Sequence, residues 1–173
     1  MTGTETWDDL MRSHRAAVAD FASAASAIEP DAWTRPRAEG KWTPAEIVEH
    51  LALSYAALLG EIEGKTPLRI HTPLWRQWLL RAVYLPRLVA GKPFPAGIKA
   101  PREIRPAASG TQQDAVARFR DLAARFEEAA DAVRVQKPKQ RLTHPFFGAI
   151  PLDRMVGLSA AHTRHHQRQL SPT

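Results

Sequence analysis

Three histidines lie within five positions near the end of the chain, in the stretch "HTRHH" (162–166). Imidazole is the commonest metal ligand in proteins and titrates near neutral pH. Residues four apart stack on one face of a helix, so His162 and His166 can share a metal ion. His165 is rotated by about 100° from His166. The spacing therefore predicts one chelating pair, with His165 as a flanking residue at the mouth of the site.

A third ligand has to come from another part of the chain, because catalytic metal sites usually supply three protein ligands and leave a position for water or substrate. His50 and His14 are the two candidates, since both lie beside apolar stripes of predicted helices. His71 and His144 lie next to prolines in connections, where we expect them to serve locally. The residues alone favour His50 and leave His14 open.

The chain contains no cysteine, which narrows the chemistry of any site. Thiolate metal ligands, disulfides and a cysteine nucleophile are excluded. A metal ion must therefore be held by histidine, carboxylate, carbonyl or water ligands. Any thiol chemistry would need a small-molecule thiol.

Apolar residues at helical spacing predict four long helices, over about 6–28, 43–64, 111–133 and 151–170. The second has the clearest start, with Thr43 as N-cap, Pro44 at the first helical position and Glu46 completing a capping box. Thr111 and Asp114 give a similar signal for the third. No segment alternates convincingly as a strand. We therefore expect an all-α protein in which His50 lies on the second helix and the chelating pair on the fourth.

The second and third helices are joined by 45 residues, 66–110, with seven prolines. A short helix is predicted over 72–85, with Thr72 as cap and Pro73 at its first position, followed by irregular chain. A connection this long can carry the chain the length of a bundle, so that the second and third helices run parallel. We expect a single helical-bundle domain over 1–173, with 66–110 as a Pro-rich basic crossover.

Positive charge is concentrated in the same crossover. The segment 66–110 contains eight Arg or Lys residues and a single acid, Glu103, so its net charge is +7 although the whole chain carries only +6. Trp75, Trp78 and Tyr84 are interleaved with these cations, a pattern that suits phosphate contacts and base stacking. The alternative, which we favour, is a linker whose aromatic residues pack on the bundle. Nucleic acid is thus not the expected partner.

The first fifteen residues are polar and partly acidic, without the apolar core of a signal peptide. No apolar run approaches the roughly 20 residues that span a bilayer. These features indicate a cytoplasmic protein with no membrane partner. The sequence leaves a homodimer open.

Two segments together resemble the DinB-like family of proteins related to DinB and YfiT. "KWTPAEIVEHL" (41–51) is similar to that family's signature with Trp, Glu and a following His-Leu pair, and "HTRHHQRQL" (162–170) is similar to its closing "HxxHHxxQ" segment. The loop "HPFFG" (144–148) and the stretch "GKPFPAGIKAP" (91–101) resemble one branch in particular. Many relatives have "HHRGQ" where this chain has "HHQRQ", which places it in a different branch from them.

The resemblance implies a four-helix bundle in up-down-down-up order. It also implies a divalent metal ion, often nickel or zinc, held by three histidines. Carried over position by position, these ligands are His50, His162 and His166, which selects His50 over His14. Relatives include thiol transferases that use bacillithiol and isomerases that use mycothiol, so a low-molecular-weight thiol is a candidate cofactor.

Three functions follow as hypotheses. The leading one is a metal-dependent thiol S-transferase, or a related enzyme with a small-molecule substrate. The second is a metal-dependent hydrolase, whose general base could be Glu46, although a capping role is the stronger interpretation of that residue. Glu61 lies on the same side of the second predicted helix as His50, but some three turns further along. The third is a non-enzymatic binding module for nucleic acid or another anionic ligand, acting through 66–110.

Overall fold

The structure is a computed structural model that describes residues 6–95, 97, 99–107 and 110–170, so positions 96, 98, 108 and 109 of the predicted crossover lie outside it. Four of its six described helices, numbered α1, α3, α5 and α6 in the list that follows, form a four-helix bundle, which confirms the predicted fold class. The helices are α1 (Trp7–Ser26), α2 (Pro30–Trp33), α3 (Pro44–Ile62), α4 (Leu74–Val89), α5 (Gln112–Gln136) and α6 (Leu152–Leu170); a 3-10 turn (Arg102–Ile104) and strands β1 (Arg141–His144) and β2 (Gly148–Pro151) complete the described elements.

The bundle helices begin where the sequence places their caps. Thr43 accepts a hydrogen bond from the backbone N–H of Glu46, and the Glu46 carboxylate accepts one from the N–H of Thr43, which is the predicted capping box. The Thr111 hydroxyl caps α5 by accepting from the N–H of Asp114. Such caps satisfy backbone donors that a helix cannot pair internally. Local chemistry therefore fixes these helix starts before any packing is considered.

Contacts between the helices establish their directions. Two ion pairs, Glu49 with Arg118 and Glu63 with Arg125, advance in the same sense along α3 and α5, so these two helices run parallel. Helices α1 and α5 run in opposite senses: the start of α1 contacts the end of α5, and the end of α1 contacts its start. Helix α6 runs parallel to α1, because Gly157 lies against Leu10 and Arg164 donates hydrogen bonds to Ser13. Since α1 is antiparallel to α5, and α5 is parallel to α3, helix α6 is antiparallel to α3. The order is up-down-down-up, as predicted.

The crossover is more regular than the sequence indicates. Helix α4 continues through Pro86 to Val89, whereas we expected the helix to end before this proline. Pro86 lies in the last turn, so the one backbone hydrogen bond that it cannot donate, to the carbonyl of Ala82, is lost near the end of the helix. The helix has Pro73, not Thr72, at its N-cap, and the Thr72 carbonyl instead accepts a hydrogen bond from the Gln77 side chain. The 3-10 turn also falls in a region expected to be irregular.

A β-hairpin that the sequence did not reveal connects α5 to α6. Strands β1 and β2 pair antiparallel, with His144 opposite Gly148. Gly148 has φ +67, and an added Cβ there would lie 1.9 Å from Oε1 of Gln77, so both conformation and space require glycine. The Glu61 carboxylate accepts hydrogen bonds from the backbone N–H and the hydroxyl of Thr143, at 2.9 and 2.8 Å. The hairpin is therefore fastened to the end of α3.

One apolar cluster fills the bundle, and a chain of polar groups crosses it. The Thr163 hydroxyl lies 3.0 Å from that of Tyr55, which lies 2.9 Å from Nε2 of His14, and Nδ1 of His14 lies 2.6 Å from the Glu127 carboxylate. A carboxylate only accepts, so His14 donates from Nδ1 to Glu127. His14, Tyr55 and Thr163 are almost fully buried. These bonds join α1, α3, α5 and α6, so His14 links the helices together and is not a member of the histidine cluster.

None of the helices in the described residues is both long enough and apolar enough to cross a membrane.

We expect Glu127→Gln to destabilise the fold in a pH-dependent way. Burial would raise the pKa of Glu127, but hydrogen bonds from His14 and Arg15 and their charges lower it below the ordinary 4.5. A lowered folded-state pKa contributes stability above the unfolded-state pKa, and this is lost as pH falls through the folded-state value. The variant should lose about 1–2 kcal/mol of unfolding free energy at neutral pH, and the difference from wild type should shrink in acid.

Urea unfolding at several pH values measures this effect. Glu128→Gln is the matched control, because Glu128 is the next residue along α5 and is exposed. An equal loss of stability in both variants, or a loss that does not depend on pH, would contradict the assignment.

Candidate metal centre

Three imidazoles from two antiparallel helices converge near the middle of the bundle. His50 lies on α3, and His162 and His166 lie one turn apart on α6. Nε2 of His162 is 3.4 Å from Nε2 of His50 and 3.0 Å from Nε2 of His166. Each of the three rings offers a ligand atom within 4.8 Å of the others. The structure thus brings together the three residues that the resemblance selected.

Fixed hydrogen bonds orient two of these rings. Nδ1 of His50 donates to the backbone carbonyl of Ile104 at 2.7 Å, and Nδ1 of His166 donates to Oε1 of Gln169 at 2.8 Å. A neutral imidazole that donates from Nδ1 has a free lone pair at Nε2. A hydrogen bond from the ring nitrogen that does not bind the metal is typical of metal-binding histidines, because it sets both the tautomer and the ring orientation.

The donor set fits a divalent cation on two counts. His50 and His166 both present lone pairs toward Nε2 of His162, and a single N–H there could satisfy only one of them. Metal–nitrogen bonds of about 2.0–2.1 Å at angles of about 90–110° place ligand nitrogens roughly 3.0–3.4 Å apart. The two measured separations lie in this range. A cation among the three nitrogens would satisfy all three lone pairs.

The surroundings keep these imidazoles neutral. Burial lowers the pKa of His50, partly offset by its bond to Ile104. Burial and the neighbouring imidazoles lower the pKa values of His162 and His166 well below 6.5. Neutral imidazole is the form that binds metal.

The cluster opens into a cavity of about 1010 Å³. Its walls are the segment before α3, the inner faces of α3, α4 and α6, the hairpin, and the crossover on both sides of α4. The lining contains four cations, Arg37, Lys41, Lys99 and Arg105, and none of its described residues is an Asp or Glu. The cavity is therefore positively charged even without an ion bound, and the remaining lining is mostly apolar and aromatic.

Both carboxylates considered as general bases are engaged elsewhere. Glu46 forms the capping box of α3, and Glu61 holds Thr143 of the hairpin. Neither lines the cavity. His165 is half-buried on the cavity wall, where its Nε2 accepts from the Gln169 amide at 3.0 Å and its ring packs 4.8 Å from that of Phe94. This agrees with the flanking position expected for it.

His144 was expected to make only local contacts, but the structure also places it on the cavity wall. Its Nδ1 does accept hydrogen bonds from the backbone N–H groups of Phe146 and Phe147 in the hairpin turn, at 3.2 and 3.4 Å. The ring also lines the cavity, and burial lowers its pKa to about 3. Since Nδ1 accepts, the proton of the neutral ring lies on Nε2. His144 is thus an uncharged donor on the cavity wall. His71 is exposed and donates its backbone N–H to the Pro145 carbonyl.

Four further residues around the cluster were not assigned a role there from the sequence. Trp42 packs against His50 with ring centroids 4.8 Å apart, and Phe94 lies 5.7 Å from His162. Ile104 contributes only its carbonyl, for which side-chain identity gives no signal. Gln169 was detectable, because it follows His166 by three residues, close enough on a helix to bond it.

Comparison with known proteins places the chain. A solved structure, described as "YfiT from Bacillus subtilis is a probable metal-dependent hydrolase with an unusual four-helix bundle topology", matches with a TM-score of 0.60 at 16% identity, covering 98% of this chain and 88% of that one. At this identity the match shows the shared fold. No protein with a curated function matches significantly. The model of the DinB superfamily matches residues 13–170, and the chain belongs to that superfamily.

Proposed function

We propose that this protein is a divalent-metal-dependent enzyme with His50, His162 and His166 as its metal ligands. The observation that carries the proposal is the convergence of three Nε2 atoms at ligand spacing, two of them with Nδ1 fixed by an acceptor. Nickel and zinc are the ions we expect, because both bind imidazole well. Such an ion supplies positive charge that favours the ionised form of a bound water or thiol.

The cavity favours a small anionic substrate. Lys99 and Arg105 lie on its lining, and the described part of the lining has no carboxylate to neutralise them. Cations that line a low-dielectric cleft raise the local concentration of anions and speed their association. The volume of about 1010 Å³ is at the upper end of the range for small-molecule sites, which leaves room for two reactants.

Thiol S-transfer is the reaction that needs least from the protein itself. The chain has no cysteine, and its described cavity residues include no carboxylate base, so a small-molecule thiol would be the nucleophile. A thiol ionises near pH 8.5, so the ion's charge can make it a thiolate without a protein base. The sulfur then bonds to the electrophilic carbon, the leaving group departs with the bonding electrons, and the thiol proton passes to solvent. A bacillithiol- or mycothiol-type thiol is the candidate cofactor.

Hydrolysis is the second candidate, and the description of the Bacillus subtilis structure favours it. Water is far less acidic than a thiol, so a base would assist more here. Glu46 and Glu61 are both engaged in structural hydrogen bonds, so the imidazole of His165, which lines the cavity, is our candidate for the group that takes up a proton.

His144 has a place in either reaction. Its neutral ring can donate from Nε2 to an oxygen of a substrate in the cavity, and its low pKa keeps it in this state across physiological pH. Its two backbone hydrogen bonds hold the ring in one orientation, so the donor is positioned before a substrate binds.

Metal content tests the ligand assignment directly. We expect wild-type protein to bind one equivalent of nickel or zinc per chain, and His162→Ala to lose at least tenfold in affinity because two ligands remain. Competition with a chromogenic chelator, followed by elemental analysis, measures both quantities. His71→Ala is the control, since His71 is exposed and outside the cluster. Full metal occupancy in His162→Ala would refute the site.

Two assays on the same metal-loaded protein separate the candidate reactions. We expect it to accelerate conjugation of bacillithiol or mycothiol to monobromobimane, and to leave p-nitrophenyl acetate hydrolysis near the background rate. His162→Ala should abolish the acceleration. Ester hydrolysis without thiol conjugation would select the hydrolase instead, and metal binding with neither activity would count against both.

For whichever reaction is observed, we expect His144→Phe to raise KM or lower kcat by about tenfold. This is the effect of losing one hydrogen bond to a substrate oxygen that is charged or becomes charged in the reaction. Metal affinity should stay unchanged, because His144 is not among the clustered ligands. A loss of metal in His144→Phe, or unaltered kinetics, would contradict its role as a substrate donor.

A further inference from the structure

One side of α4 is apolar yet turned to solvent. At about 100° per residue, seven of its residues fall within a sector of roughly 140°. Val89, in the last turn, packs against the bundle, and we call the other six the outer face of α4. Leu79 and Val83 are about half-exposed, and Trp75 and Trp78 are 69% and 67% exposed. The outer face consists of Trp75, Trp78, Leu79, Ala82, Val83 and Pro86.

This exposure is not scattered over the protein. Eight large hydrophobic residues in the described chain are exposed, and all but Val135 lie within 70–84. The opposite side of α4 does the packing: Leu85 and Leu88 are buried, and Leu80 lines the cavity. The bundle is therefore complete without the outer face, and a contiguous patch of this kind marks an interaction site.

The charges around the outer face are of one sign. Arg76 and Arg87 lie at its edge in the helical projection, and α4 contains no acidic residue. In the segments that the structure describes, no cation of 66–110 forms a salt bridge, so these charges are not neutralised from within the chain. The partner that fits must accept apolar side chains and supply negative charge beside them.

We propose that α4 docks on the surface of a bilayer that contains anionic phospholipid. A helix with aromatic and aliphatic residues on one face and arginines at its edge lies in the interfacial plane, with its apolar face below the headgroups. Tryptophan is enriched at this depth because its ring is apolar and its N–H is polar. The arginines contact anionic headgroups, and cations elsewhere in the crossover add to the attraction.

Two other occupants fit the same observations less well. A second copy of this chain would bring the +7 crossover against its own image in a symmetric contact, so like charges would face each other. Single-stranded nucleic acid needs aromatic rings alternating with phosphate-binding cations. The outer face instead has Leu79, Val83 and Pro86 in its centre and toward its edge, and these neither stack on bases nor bind phosphate.

A protein that lies on the surface of a bilayer needs no helix that spans it. The proposal therefore agrees with the membrane-span finding and departs from the sequence-based expectation of no membrane partner. It is also independent of the proposed enzymatic function, because it depends on the outer face of α4 and not on the histidine cluster.

Vesicle sedimentation with the full chain tests this proposal. We expect binding to vesicles of equal phosphatidylcholine and phosphatidylglycerol, a blue shift of tryptophan fluorescence, and little binding to phosphatidylcholine alone. Trp75→Ser with Trp78→Ser should lower the partition coefficient by about tenfold or more per residue. Arg76→Gln with Arg87→Gln should lower it by about fivefold per arginine. Added salt should weaken the binding of the wild-type protein.

Matched controls lie on α5, away from the outer face. Val135→Ser removes an 81% exposed apolar residue, and Arg120→Gln removes an exposed arginine. Both should bind vesicles like wild type, and circular dichroism should show that all variants are folded. Absence of vesicle binding, binding unaffected by the two serine substitutions, a dimer that these substitutions dissociate, or binding to single-stranded DNA in place of vesicles would each overturn the proposal.

Discussion

The register between α3 and α6 is fixed by a buried hydrogen bond, and the geometry of the histidine cluster depends on it. Tyr55 and Thr163 meet at 3.0 Å in the centre of the bundle, where burial raises the pKa of Tyr55 and keeps its hydroxyl protonated. Thr163 directly follows His162, and Tyr55 is little more than one turn beyond His50. A sliding of α6 against α3 would leave these hydroxyls unpaired in an apolar core, which costs more than the bond itself contributes. The same bond thereby keeps His50 opposite its two partners.

The parallel course of α3 and α5 has a consequence for the site. Parallel neighbours need a connection that returns the chain along the bundle, and here that connection is long enough to build a wall of the cavity. It contributes α4, the ring of Phe94 and the 3-10 turn whose Ile104 carbonyl orients His50. The bundle positions the three imidazoles, while the crossover fixes one of their tautomers and encloses the space in front of them.

Much of this could be read from the sequence, and the failures have physical reasons. Capping boxes and apolar spacing gave the bundle helices because these signals are local. The pairing of His162 with His166 followed from helical geometry. The residues favoured His50 as the third ligand but did not exclude His14, since both lie on apolar faces, and the family resemblance decided between them. The partner of His50 is a backbone carbonyl, which every residue has. The strands of the hairpin are only four residues long, too short for alternation to be evident. Pro86 suggested a helix end because proline usually disrupts a helix interior, whereas α4 accommodates it within its last turn.

Charge connects the cavity with the chemistry it can perform. Three neutral imidazoles would leave the proposed divalent ion with its whole charge, and the four cations of the lining would add to it. In some metal sites a carboxylate ligand offsets such charge, but the two carboxylates considered for the site here, Glu46 and Glu61, form a helix cap and hold the hairpin. The compensating negative charge must therefore arrive with the reactants. An anionic thiol or acid would meet this condition better than a neutral ester, which is our reason for proposing S-transfer ahead of hydrolysis.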